Sequence, residues 1–387
     1  MTFAVTVPAQ VALADVASSA TMIPSTNQPG RMPATRRTRA GRKGALALAV
    51  ALLLGGCGVR LETPPPGEPA PDAVEVVRRT AVADALLVSQ QADAAALVAG
   101  TAPEVVAELT QISDFSDAQV AQLGGEYDSG LSDVLGDGTP TPSASAPAVA
   151  APADVVVSLM DAAGRSRSAA DTTADGPLAR LLASIAASQT LSASRLAGLT
   201  GTEGPAPADP VIPVPPEVDE PTADATEPEA AASDAASGEP TPADVAPGGL
   251  SAEQLSGIVL AEDTAGYALE LRAALADGAL RDMAVARAAV HRARAEAWAE
   301  LAGTAGTDQD PRRVAYVVPG AEVTTEALAQ QLEDGLASGY ATLVGVAEPG
   351  TRRVLITLLA EATTAGTTWG TPLTAFPGLP EQVTPAA

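Results

Sequence analysis

Ser251–Ala276 reads SAEQLSGIVLAEDTAGYALELRAALA. Ser251 with Gln254 three residues on is a capping box, in which each side chain satisfies a backbone N–H that a helix start leaves open. Leu255, Ile258, Val259, Ala265 and Leu269 then recur at helical spacing and form one apolar face, and Asp277-Gly278 turns the chain. Glu262 falls within that face, so a regular helix carries its carboxylate inward.

The same pattern continues downstream. A second helix, Ala279 to Ala302, carries Met283, Val290, Trp298 and Leu301; a third, Thr324 to Ala347, carries Leu328, Leu332, Leu336, Leu343 and Val346. Pro349-Gly350 turns into a fourth, Thr351 to Trp369, with Leu355, Leu358 and Leu359. Upstream, Asp72 with Glu75 and Thr101 with Glu104 open two helices that end near Ala99 and at Leu123, and further helices are expected over Ala153 to Thr172 and Gly176 to Leu199. In each half the first and second helices, and the third and fourth, are joined by a few residues, whereas about 20 or more join the second to the third. Short loops force antiparallel neighbours, and one long link lets the chain cross the bundle before the next pair begins. The expected fold class is therefore all-α: two four-helix, ferritin-like up-down bundles, each with one long crossover, over residues 72–201 and 251–371.

Residues 202–250 separate the halves. Eleven acidic residues lie between Glu203 and Asp244, with no basic ones among many Pro, Ala and Thr. Like charge and proline keep such a segment expanded, so a disordered acidic linker is expected there, with the bundles closed on each other as a further arrangement. A disordered tail is expected over 372–387.

The amino-terminal part carries an address. Arg36, Arg37, Arg39, Arg42 and Lys43 precede an apolar run from Gly44 to Leu54, followed by Gly55, Gly56 and Cys57. A basic region, a short apolar run and small residues make the layout of a secretory signal peptide. The run is too short for a helix that needs about 20 residues to cross a membrane. Because Cys57 follows Leu-Gly-Gly, the stretch resembles a bacterial lipobox. That resemblance implies cleavage before Cys57 and acylation of its thiol and new amino terminus, which places the protein on the outer face of the plasma membrane. Residues 32–56 then form the lipoprotein signal peptide, with Met32 as the expected start and 1–31 a non-native extension. Residues 57–71, rich in proline, form a stalk reaching up to roughly 40 Å at about 3.1 Å per residue.

Charge excludes two classes of partner. Six basic residues and Asp15 precede Cys57, which leaves 16 basic and 46 acidic residues and a net charge of −30 on the mature chain, with no lysine. Nucleic acid and anionic lipid surfaces both call for clustered cations. Acylation of the only cysteine leaves no thiol for a disulfide or a thiolate metal site.

Leu260-Ala261-Glu262-Asp263, Ala265-Gly266-Tyr267, His291-Arg292-Ala293-Arg294, Ala315-Tyr316 with Pro319, Leu332-Glu333-Asp334-Gly335 with Tyr340, and Trp369 occur in an order that resembles an actinobacterial ferritin-like domain of unknown function. The resemblance covers about Ser251 to Thr371. Ala121-Gln122-Leu123-Gly124-Gly125 and Ala179-Arg180-Leu181-Leu182-Ala183-Ser184 look, more loosely, like the region preceding this domain in similar lipoproteins. Membership implies a fold and an address and no established activity.

A di-iron centre in a ferritin-like bundle takes a Glu from each of two helices and a Glu-x-x-His from each of the other two. Glu262, His291, Glu333 and Glu361 are the candidates for such positions. Ala288 stands three before His291, Thr364 three after Glu361, and His291 is the only histidine in the chain, so a full oxidase centre is excluded. A mononuclear site from Glu262, His291 and Glu333 is the metal reading that survives. The competing expectation is a buried Glu262–His291 pair, or Glu262 with Arg292 or Arg294, setting helix register. Asp114 and Asp117 in the first bundle, and the pair Glu333-Asp334, read as surface acids. No phosphate-binding glycine loop and no Ser with a paired His is present. The expected function is a non-catalytic envelope lipoprotein that uses its bundles for binding or assembly, with a possible protein partner in the envelope and no cofactor. The alternative is a metal-binding carboxylate protein, a reduced oxidase or a storage protein.

Overall fold

The computed structural model describes residues 70–128, 150–208, 210–213, 245–320 and 322–382. The leader, Cys57, nearly all of the expected stalk and the middle of the acidic stretch lie outside the described residues. Eight α-helices and no strand occur among those described: α1 Ala73–Ala96, α2 Pro103–Gln122, α3 Pro152–Thr172, α4 Gly176–Thr200, α5 Ala252–Ala273, α6 Gly278–Leu301, α7 Thr325–Val346 and α8 Arg353–Thr368. None of them is long and apolar enough to cross a membrane.

The caps show why the helices begin where they do. Asp72, Asp175 and Thr324 each accept a hydrogen bond from the backbone N–H three residues on, and the Ser251–Gln254 box closes in both directions. Thr101 does not cap α2 as expected. Its hydroxyl donates to the Val98 carbonyl, and Ala102 takes the cap position because Pro103 holds the first helical turn. At the other end of α2, the Arg78 guanidinium donates to the carbonyl of the cap residue Leu123, which the helix leaves open, and to that of Gly125 in the turn beyond.

In the first half α1 packs on α2 and α3, and α4 packs on α3 and α2. In the second half α5 packs on α6 and α7, and α7 on α8. The helices joined by the long link are therefore not the main neighbours, as a crossover requires.

The two bundles do not stand apart on a linker. α4 lies against both α7 and α8, and one apolar core runs through Leu182 and Ile185 of the first half into Leu336, Tyr340, Leu355 and Leu358 of the second. Full burial of each such side chain stabilises by about 1.5–3 kcal/mol. A polar seam fixes the junction. Buried Arg352 donates from its guanidinium to the carbonyls of Ala170, Thr173 and Ala347, while its backbone N–H donates to Asp171 at 2.8 Å.

The expected tail from residue 372 is corrected as far as Gln382. Phe376 and Leu379 are buried in the shared core, and the hydroxyls of Ser184 and Ser188 donate to the carbonyls of Pro377 and Thr374. Two apolar side chains and two matched carbonyls hold this proline-rich segment on α4.

Candidate functional site

Glu262 on α5, His291 on α6 and Glu333 on α7 are each fully buried and meet in the interior of the second bundle. His291 Nδ1 lies 2.6 Å from Glu262 Oε2, and its Nε2 lies 3.2 Å from Glu333 Oε1. Both ring nitrogens face carboxylates, and a neutral imidazole carries a proton on only one of them. The arrangement therefore calls for an imidazolium. Burial works against that charge, but the hydrogen bonds to Glu262 and Glu333 outweigh it and raise the His291 pKa. The buried pair expected from the sequence is thus formed, and Glu262 meets neither Arg292 nor Arg294. Its second oxygen accepts from the Tyr340 hydroxyl, which itself accepts from the Trp298 indole N–H at 3.4 Å.

Glu333 and Glu361 share a guanidinium. Arg287 on α6 donates to Glu333 through Nε at 2.5 Å and Nη2 at 2.6 Å, and to Glu361 through Nη1 at 2.5 Å and Nη2 at 3.2 Å. Arg294 adds a bond to Glu361 at 2.7 Å. Burial raises the carboxyl pKa of Glu361, yet the two guanidiniums prevail and hold it at about 2. Glu333 is likewise lowered, its burial overcome by His291 and Arg287. Three carboxylates are thereby matched by two guanidiniums and one imidazolium, the balance an apolar interior demands.

A metal pair does not fit these residues. Every oxygen of Glu262, Glu333 and Glu361 already accepts at least one N–H or O–H bond, and Arg287 sits between the Glu333 and Glu361 carboxylates. Among the described residues no group of three or more His, Cys, Asp or Glu side chains is arranged to hold a metal.

Arg287 escaped the sequence reading, and Arg294, read as a partner for Glu262, pairs with Glu361 instead, although a signal was present for both. They stand four before and three after His291, on the helix face that buries Ala284, Ala288, Ala295 and Trp298. Glu333, read with Asp334 as a surface acid, is wholly buried, while Asp334 is exposed. Asp114 and Asp117 are exposed as expected. The first bundle buries Glu108 and Asp171 instead; burial raises the Glu108 pKa against the pull of Arg195.

A second cluster ties down the crossover. Asp263 accepts from Arg292 and from the Tyr316 hydroxyl, and Arg292 also pairs with Glu270 at 2.8 Å. Arg272 donates to the carbonyls of Pro319 and Gly320. The resemblance motif containing Ala315, Tyr316 and Pro319 therefore pins the long link onto α5.

The ionic cluster touches solvent at one edge, where Arg287 and Glu361 help to line a cavity of about 560 Å³. Residues of α6, α4 and α8, among them Met283, Val290, Thr190 and Thr364, line the rest together with Trp369 and the segment 205–208.

A fold that is all-helical among the described residues, with a neutral, buried Glu–Arg–His cluster where a ferritin-like bundle would place metal ligands, is the class that fold and site define. Residues 255–381 match the family described as Domain of unknown function (DUF4439). No curated protein and no solved structure matches the chain.

Proposed function

We propose that this chain is an envelope lipoprotein, held on the outer face of the plasma membrane by acylated Cys57, whose paired bundles serve as a non-catalytic binding or assembly module. The observation that supports it is the Arg287 guanidinium seated between Glu333 and Glu361: it supplies internally the positive charge that a metal would bring. His291 is fully buried with both nitrogens engaged, which leaves it no lone pair for a substrate proton or an ion. The lipobox-like stretch ending at Cys57 supports the address.

Elemental analysis of the purified mature chain tests the first part. The expected result is no stoichiometric transition metal; stoichiometric metal that disappears in Glu262→Ala and His291→Ala would overturn it. Fractionation tests the second. Wild type is expected with membranes and Cys57→Ser in the soluble fraction, and an unchanged distribution would refute the anchor.

A further inference from the structure

We propose that the cavity between α4, α6 and α8 binds an amphiphile with an apolar tail and a non-anionic head that donates hydrogen bonds. This deepens the binding role above and does not rest on the anchor. The volume of about 560 Å³ lies within the roughly 300–1,000 Å³ typical of small-molecule sites. Met283, Val290, Ala286, Ala365 and Trp369 make most of its wall apolar, which suits a hydrocarbon tail.

The head is read from the hydrogen-bond inventory. Four hydroxyls line the cavity, and each already donates along its own helix: Thr190 to Ala186 at 2.7 Å, Ser194 to Thr190 at 3.0 Å, Thr364 to Ala360 at 2.8 Å and Thr368 to Thr364 at 3.2 Å. A hydroxyl whose proton is spent offers only lone pairs. The Glu361 carboxylate adds further acceptors. Against them stand two side-chain donors, the Trp369 indole N–H and the one hydrogen of Arg287 Nη1 that Glu361 does not take. On the rim, Pro205 and Pro207 contribute no N–H; Ala206 and Ala208 contribute one each, against four backbone carbonyls from residues 205–208. A carboxylate head would meet this surplus of acceptors with acceptors of its own, whereas an ammonium is matched. Residues 214–244, which follow the rim segment in sequence, include Glu217, Asp219 and Glu220 and no cation, so their side chains match this surplus no better than a carboxylate does.

Calorimetric titration of the full chain carrying Cys57→Ser, below micelle-forming concentrations, compares octylammonium with octanoate. Equal tails isolate the head. Octylammonium is expected to bind one per chain and at least tenfold more tightly than octanoate. Met283→Trp, at a partly exposed wall position, is expected to remove binding with the melting temperature kept. Thr364→Val with Thr368→Val, which keeps shape and deletes two acceptors, is expected to shrink the preference. Equal or tighter octanoate binding, no binding of either probe, survival of binding in Met283→Trp, or binding that appears only after deletion of 214–244 would each overturn the proposal. Failure here leaves the fractionation result for Cys57 untouched.

Discussion

Removing the side chain of Arg287 would leave Glu333 and Glu361 facing each other in the interior with one cation fewer. Breaking a buried ion pair from one side costs about 3–5 kcal/mol, because the remaining charge has no solvent to return to. Arg287→Ala is therefore expected to lower stability by that amount in urea denaturation, and a loss below about 1 kcal/mol would show that the cluster is not held by this residue. The pH dependence follows from the same groups. The folded state raises the His291 pKa, so its contribution is complete below the unfolded value of about 6.5 and is lost as pH climbs through the folded one. Glu361, at about 2 in the fold, and Glu333, also lowered, contribute fully above the unfolded carboxylate value of about 4.3 and lose that contribution as pH falls towards 2. Melting temperature is thus expected to peak between about pH 5 and 6.5; His291→Gln should flatten the alkaline limb and, because His291 helps to lower Glu333, also weaken the acid one. An alkaline limb of unchanged slope in that variant would remove His291 from the account. Glu262 and His291 were legible because a polar group set into an apolar helix face must find a partner in the interior to stay there. Arg287 was not, since arginine on a helix ordinarily lays its stem along the surface and keeps its head in water.

At the scale of elements, the positions of all eight helices were legible from caps and spacing, because both are local properties of the chain. How closely two helices approach is not local. Gly176 at the start of α4 sits so near α7 that an added Cβ would lie 2.1 Å from the Gly345 carbonyl oxygen, whereas a Cβ on Gly345 would meet the Arg180 Cβ at an ordinary 3.5 Å. Gly176→Ala must push the helices apart, at the roughly 1–3 kcal/mol typical of overpacking. Gly345→Ala fits, and gains up to about 1 kcal/mol of helix propensity. Thermal melts of the two variants are expected to move in opposite directions, and a common shift would contradict the described crossing. From the sequence alone both residues are simply glycines in or beside a helix.

Across the whole molecule, composition pointed to separated bundles and packing joins them. The stripe on α4, with Leu178, Leu181, Leu182 and Ile185, announced that the helix packs against something but could not name α7 and α8 as its partners. Likewise the proline content of residues 372–382 hid Phe376 and Leu379, two apolar side chains that the core takes up. If the halves share one core, the segment 251–371 cut out at the boundaries the sequence suggests would expose the faces of α7 and α8 that α4 covers, and would lose the tail as well. An apolar face of that extent drives self-association. The excised segment is therefore expected to keep helical circular dichroism but to melt broadly and elute as aggregates, while the full chain melts in a single transition. Equal cooperativity and melting temperature for the excised segment and the full chain would mean that the junction through Arg352 and α4 adds nothing to stability.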